Sequence, residues 1–421
     1  MPGWPGAARF DVLIVGAGHA GAHLAISLRR LGFAGTVALL GDEPDWPYER
    51  PPLSKDYLAG AKPFEALLLK ELEYWALHEI AVLRGRRVVG VDPAAHQVRT
   101  DDGAALGYGA LAWCAGGTPR RLPCAGSHLA GVHTVRTRAD VDLMREELAT
   151  AATVAVVGGG YIGLEAAAVL TEMGKAVTVI EMQDRVLARV AGEPVSRFYE
   201  AEHRARGVQM MLGTVVSRIE EHHGRAGGVR LGDGTVLPAD MVVAGIGIVP
   251  AVQPLLDAGA VGGNGVEVDA CCRTSLPDIY AVGDCAAHRN RFADGDSVRL
   301  ESVQNAVDQA LVAARAITGA PAPYDAVPWF WSNQYDLRLQ TVGLSTGHDA
   351  VVVRGEPAAR SFSAIYLRRS AVVALDCVNA TRDYVQGKAL VAGALLVDPA
   401  RLADTAQPLK ALAASASPGR A

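Results

Sequence analysis

Two parts of the chain repeat one pattern of apolar and polar positions. Residues 10–15 are a short apolar run, as a strand buried on both faces requires. A glycine-rich turn follows, Gly16-Ala17-Gly18-His19-Ala20-Gly21. Apolar residues then recur at Ala22, Leu24, Ala25, Leu28 and Leu31, which predicts a helix. A second apolar run at 37–40 ends on Gly41-Asp42-Glu43. The copy further on has a strand at 154–157, the turn Gly158-Gly159-Gly160-Tyr161-Ile162-Gly163, a helix over 164–173, a strand at 177–180 and Glu181 at its end.

In such a unit the glycines permit the tight turn, the close approach of a pyrophosphate and the packing of helix on strand. The helix N-terminus faces the phosphates with free amides and a positive dipole. An acid ~20 residues on is placed to accept from a ribose hydroxyl. One copy alone is weak evidence; two copies with strand, helix and terminal acid imply two dinucleotides on one polypeptide. Gly16, Gly18, Ala20, Gly21 and Asp42 or Glu43 would hold the first. Gly158, Gly160, Tyr161, Ile162, Gly163 and Glu181 would hold the second. A carboxylate at Glu181 repels a 2′-phosphate and so favours NAD over NADP. Arg185 and Arg189 follow closely and serve either the pyrophosphate or the nearby helix.

Between and after the two units the pattern predicts a helix over 74–84, a strand at 87–92 and a hairpin that turns at Asp101-Asp102-Gly103. The second unit has its own hairpin at Gly232-Asp233-Gly234 and a closing strand at 241–247. The strand at 278–285 has no glycine fingerprint before it and is expected to return to the first domain. A long apolar-faced helix spans 301–317. After Pro321-Ala322-Pro323 the chain reads as strands at 340–344, 350–353, 361–367 and 371–375, and the tail from Ala413 reads as frayed. The expected fold class is α/β, with two Rossmann-like dinucleotide-binding domains and a C-terminal α+β domain. The expected boundaries are 1–118 with 249–326, 119–248, and 327–421.

Composition narrows the class. The chain has 421 residues, half of them apolar and a fifth charged, with a net charge of −5. Nothing is basic enough overall to suggest nucleic acid. No apolar run approaches the ~20 residues that span a bilayer. The opening Met1-Pro2-Gly3-Trp4-Pro5-Gly6 does not read as a signal peptide, so a cytoplasmic protein is expected. The six cysteines, Cys114, Cys124, Cys271, Cys272, Cys285 and Cys377, form no C-x-x-C, and no metal is expected.

The order of motifs resembles a known family. The first glycine turn, then Arg50-Pro51-Pro52-Leu53-Ser54-Lys55, the second glycine turn, Gly283-Asp284-Cys285, and Trp329-Phe330-Trp331-Ser332 look like the oxygenase-coupled NADH-dependent ferredoxin reductases. These are FAD flavoproteins of the glutathione-reductase structural class. The resemblance implies FAD at the first turn, with Val88 on the adenine and Arg50, Lys55, Arg136 and Asp284 as further contacts. It also implies that Val303 and Gln304 face the flavin ring and that Trp329 flanks it. NADH would lie along the second turn, Glu181 and Gly247, with its nicotinamide near Glu165 and Glu301. Lys55 near the flavin would pair with Glu165, so Lys55, Glu165, Glu301 and Trp329 are the candidate catalytic residues.

Two departures matter. The usual Ala-Thr-Gly before the crossover is Cys114-Ala115-Gly116, which lacks the threonine hydroxyl. Dithiol relatives carry cysteines near residues 48–55, and this chain has none there, so electrons are expected to leave the flavin directly. The acceptor implied is an acidic [2Fe–2S] ferredoxin serving a ring-hydroxylating dioxygenase or a cytochrome P450. Lys388, Lys410, Arg368 and Arg369 are the candidate docking cations. The rival readings are an NADH oxidase or a rubredoxin/nitrite-type reductase of the same fold, and a flavin redox sensor without turnover.

Overall fold

The computed structural model describes residues 9–418; the opening hexapeptide and the last three residues of the tail lie outside them. The chain divides into two compact units. The first comprises Met1–Arg50, Phe64–Thr118 and Val249–Ala326, and the second Pro51–Pro63, Pro119–Ile248 and Val327–Ala421. The three-domain division stays our proposal, since the second unit contains both a parallel sheet and a separate C-terminal antiparallel sheet.

In the first unit β1 (Arg9–Val15) leads through the glycine turn into α1 (His19–Arg30) and β2 (Val37–Leu40). Next come α2 (Leu72–Leu77), β3 (Ile80–Leu83), β4 (Val88–Asp92), β5 (Gln97–Thr100) and β6 (Ala105–Trp113). The sheet order is β3-β2-β1-β6-β5-β4. The pairs β1–β2, β2–β3 and β1–β6 are parallel, while β4, β5 and β6 pair antiparallel. The strand Ile279–Ala281 pairs parallel with β6, as expected of a segment that returns to this sheet. Alanines on α1 (Ala22, Ala25) and on the helix Val303–Ile317 (Ala306, Ala310, Ala313) share one buried cluster, and their small side chains let the two helices pack closely.

One sequence expectation fails here. The helix over 74–84 stops at Leu77, and Ile80–Leu83 is a strand in parallel register with Val37–Leu40. Glu79 breaks the helix by taking a left-handed backbone (φ 52°). The four apolar residues then gain a sheet edge, which outweighs their helical spacing.

In the second unit α3 (Arg138–Leu148) opens with a capping box, in which Thr137 accepts from the Asp140 amide and Asp140 from the Thr137 amide. A five-stranded parallel sheet runs in the order Gln209–Met211, Ala176–Ile180, Thr153–Val157, Met241–Ala244, Val132–His133. It carries α4 (Tyr161–Glu172) and α5 (Glu193–Ala205). The C-terminal sheet orders Trp329–Gln334, Leu337–Gly343, Ala371–Val378, Ser361–Arg368 and Ala350–Glu356, all antiparallel. The tail, expected to fray from Ala413, instead completes a helix over Leu409–Ser415, and Ser417–Pro418 pairs with Leu395–Leu396. Leu409 and Leu412 are buried, which ties that helix down. Among the described residues, no helix is long and apolar enough to cross a membrane.

Candidate functional site

The first glycine turn is a cradle that side chains would fill. Gly16 takes φ +107°, and a Cβ on it would lie 2.2 Å from the Cys114 carbonyl oxygen. A Cβ on Gly21 would lie 2.0 Å from the Gly16 oxygen, so helix and strand meet only because both are glycine. A Cβ on Gly18, the N-cap of α1, would be in ordinary contact with the Arg50 Nε, at 3.8 Å. The N-cap Gly18 supplies no side-chain cap to α1, and a helix N-terminus of this kind is suited to an anion. Ala20 in that first turn packs under Gly283, whose own Cβ position is 3.2 Å away.

Around this cradle the expected FAD contacts have partners of their own. Glu43 accepts from Arg50 Nη2 and from the Tyr48 hydroxyl, both at 2.5 Å. Asp42 is exposed and pairs with Arg87 at 3.2 Å. Val88 is buried at the start of β4. The Asp284 carbonyl accepts from Arg299 at 2.8 Å, and Arg299 pairs with the exposed Glu301 at 2.7 Å. Val303 and the buried Gln304 open their helix under a Ser302 cap, and Gln304 Nε2 donates to Asp308. The Cys114-Ala115-Gly116 turn forms without the threonine, with Gly116 at φ +62° and its carbonyl accepting from Ala251.

The second turn repeats the design. Gly158 takes φ +110°, with a Cβ position 2.5 Å from the Gly245 oxygen, and a Cβ on Gly163 would lie 2.0 Å from the Gly158 oxygen. A Cβ on Gly160 would meet nothing within 4 Å, and α4 also lacks a side-chain cap. Tyr161 and Ile162 form the first turn of α4, with Tyr161 tilted against Phe330 at 4.6 Å. Glu181 Oε2 accepts from the Gly159 amide at 2.6 Å, and Oε1 from Gln183 at 2.8 Å. Of the two arginines left open, Arg185 is spent locally, on the Ala188 and Ala191 carbonyls and the Ser196 hydroxyl. Arg189 is exposed, and its Nη2 lies 3.9 Å from a Cβ position on Gly247.

Also in the second unit, Lys55 Nζ sits 2.5 Å from Glu165 Oε2. Glu165 is buried on α4 with only 1% of its side chain exposed. Ser54 donates to the same oxygen at 2.6 Å and Ser332 to Oε1 at 2.7 Å. The carboxylate therefore holds three donors, as a buried charge requires. Both serines lay inside motifs already singled out, Pro-Pro-Leu-Ser-Lys and Trp-Phe-Trp-Ser, but only the fold shows that they converge on Glu165. Trp329 is half-buried, 5.6 Å from Trp331, with Lys388 Nζ 5.5 Å above its ring. Arg136 precedes the Thr137 cap of α3. Glu301 and the other first-unit contacts lie in a separate unit from Lys55, Glu165 and Trp329.

The six cysteines are free, and none lies within residues 48–55. Burial pushes the Cys114 thiol well up, and Cys285 and Cys377 up to about 12. Among the described residues, no group of three His, Cys, Asp or Glu side chains is placed to hold a metal ion.

Residues 10–310 match the pyridine nucleotide-disulphide oxidoreductase family and residues 329–413 the reductase C-terminal family. The chain belongs to these families. Its relatives include the 5,5′-dehydrodivanillate O-demethylase ferredoxin reductase subunit of Sphingobium sp. (strain NBRC 103272 / SYK-6), 61% identical over 96% of this chain and 99% of that protein. A ferredoxin–NAD(P)(+) reductase of Sphingomonas sp. is 57% identical over 95% of this chain and 97% of that protein. The crystal structure of the covalent putidaredoxin reductase–putidaredoxin complex superposes with a TM-score of 0.93, at 40% identity over 97% of this chain and 99% of that one. As a member of this family the chain is an NAD(P)H-dependent flavoprotein oxidoreductase.

Proposed function

We propose that this chain is an FAD-dependent ferredoxin reductase that takes hydride from NADH and passes single electrons to a [2Fe–2S] ferredoxin. That ferredoxin would feed a ring-hydroxylating dioxygenase or a cytochrome P450. The observation that carries the reading is the pair of bare cradles on one chain, one at Gly16, Gly18 and Gly21 and one at Gly158, Gly160 and Gly163. The named ferredoxin reductases that align over nearly its whole length support the acceptor.

Bound FAD would supply the exchange of a two-electron donor for one-electron acceptors. The protein's own part is to bind, orient and tune charge. The uncapped amides of α1, with Arg50 beside Gly18, would hold the FAD pyrophosphate, and Glu43 or Asp42 the ribose. The uncapped amides of α4 would hold the pyrophosphate of NADH. Glu181 keeps its carboxylate at the edge of that turn, where it disfavours a 2′-phosphate. Ser54 and Ser332 hold Glu165 in place, and Glu165 fixes the Lys55 ammonium as a localised positive charge. Such a charge favours negative charge developing beside it.

Lys388 and Lys410 lie on neighbouring C-terminal helices, linked where the Lys410 amide donates to Gln386, and both are exposed. With Trp329 beneath Lys388, they are our candidates for the acidic ferredoxin. Arg368, half-buried at the end of the strand Ser361–Arg368, and the exposed Arg369 after it are the second candidate pair. A cytoplasmic location belongs to the same proposal. The test is anaerobic titration with NADH and with NADPH, followed by candidate ferredoxins. The reading expects bleaching of a flavin spectrum by NADH at lower concentration than by NADPH. A protein purified without flavin overturns it.

A further inference from the structure

The segment 181–192, which leads into α5, is tied to the second glycine turn at two points. The Gly159 amide donates to Glu181 Oε2 at 2.6 Å, and the Gly159 carbonyl accepts from the Leu187 amide at 2.9 Å. Leu187 is buried and holds a left-handed backbone (φ 54°), a conformation that a leucine keeps only where its surroundings impose it. Arg185 closes the loop on the Ala188 and Ala191 carbonyls, and the exposed Arg189 projects from it beside Gly247.

The third tie comes from the C-terminal sheet. The Gly192 amide, at the N-cap of α5, donates to the Tyr366 hydroxyl at 2.9 Å. That hydroxyl donates to Asp376 Oδ2 at 2.6 Å. Tyr366 pairs with Ala374 and Ala364 with Asp376, so the two side chains are diagonal neighbours on one sheet face. Tyr366 is fully buried and Asp376 is 3% exposed. Gly192 must be glycine, because a Cβ there would lie 2.5 Å from Tyr366 Cε1. The hydroxyl thus bridges a buried carboxylate on the C-terminal sheet and the backbone amide that ends the loop.

We infer that Tyr366, held by Asp376, is a positioning residue for pyridine-nucleotide binding: it fixes the 181–192 segment against the Gly159 peptide and so sets affinity from the C-terminal sheet. This rests on reading the second glycine turn as the NADH site. Neither residue touches the nucleotide. Their effect should therefore appear in nucleotide affinity and not in the limiting rate.

The test is stopped-flow reduction of the full-length flavoprotein by NADH, with thermal stability and flavin content measured in parallel. Tyr366→Phe should raise the apparent Kd for NADH about threefold to tenfold, the effect of roughly one net hydrogen bond, with the limiting rate within about twofold. Gly192→Ala, which pushes the same loop away from the ring, should move Kd in the same direction. Asp376→Asn keeps an acceptor for the Tyr366 hydroxyl and should stay near wild type. An unchanged Kd in flavin-loaded Tyr366→Phe overturns the inference even if its Tm falls, because the tyrosine is then only packing. Should Tyr366→Phe lose its flavin, Gly192→Ala decides by the same outcomes. If wild type shows no saturable reduction by NADH, the proposed function fails instead, independently of these variants.

Discussion

Lys55 Nζ lies 2.5 Å from Glu165 Oε2, although 110 residues separate them in sequence. The lysine comes from the segment Pro51–Pro63 and the acid from the first turns of α4, behind the second glycine turn. The helix proposed to offer its amides to the nucleotide thus also fixes the ammonium. Lys55→Met would leave a buried carboxylate with two hydroxyl donors and no cation. We expect a loss of about 3–5 kcal/mol in unfolding free energy, as for other broken buried pairs. Flavin reduction by NADH should slow by about tenfold or more, the equivalent of one charge-assisted contact. The double variant Lys55→Met/Glu165→Gln should recover part of the stability but none of the rate, as read by denaturant titration and stopped flow.

Glu181 is bonded to the turn it serves, through the Gly159 amide. Glu181→Ala should therefore act twice. It should raise KM for NADH by loosening the turn, and it should narrow the preference over NADPH by removing the charge that repels a 2′-phosphate. Steady-state KM values for both nucleotides check this. Glu181→Gln keeps an acceptor for the Gly159 amide, so it should narrow the preference with a smaller rise in the NADH KM.

The glycine turns were legible in the sequence because their requirement is local. A positive φ at Gly16 and Gly158, and a 2.0 Å approach at Gly21 and Gly163, leave only glycine possible. The β5–β6 hairpin was legible for the same reason, at its Asp-Asp-Gly turn. The strand Ile80–Leu83 was not, since four apolar residues fit helix or strand until a neighbouring strand offers an edge. At the site, Lys55 and Glu165 were reachable through the motifs that hold them. The convergence of Ser54 and Ser332 on Glu165, and of Tyr366 on Gly192, depends on pairings across more than a hundred residues, which no local pattern encodes.

Two buried groups give opposite dependences of stability on pH. Burial pushes the Asp376 carboxyl up to about 7, against the lowering effect of the Tyr366 and Gly192 hydrogen bonds. Its folded value lies above its unfolded one. Its contribution is therefore complete below about pH 4 and is lost as pH rises through 7. His203 is buried, with its Nε2 bonded to Gln334, and burial takes it down to about 4. Its contribution is present above about pH 6.5 and is lost as pH falls toward 4. Between pH 4 and 7 the two oppose, so single variants separate them. Asp376→Asn should flatten the fall in Tm from pH 5 to 8, and His203→Gln the fall from pH 6.5 to 4.5, in calorimetric scans.

The six free thiols divide by burial. Cys114, Cys272, Cys285 and Cys377 are buried, and only Cys124 and Cys271 are partly exposed. Alkylation of the native protein with iodoacetamide should modify at most these two and leave NADH-dependent turnover unchanged. Mass spectrometry and an activity assay on the same sample check both statements.

The central claim is that electrons pass from NADH through bound flavin to a ferredoxin, without a thiol relay. Its most direct test is anaerobic double mixing: the purified protein is reduced with NADH, then mixed with an oxidised [2Fe–2S] ferredoxin. The account predicts saturable bleaching of the flavin, followed by its reoxidation as ferredoxin is reduced in twice the amount of NADH consumed. A flavin that stays reduced and leaves the ferredoxin oxidised would contradict it.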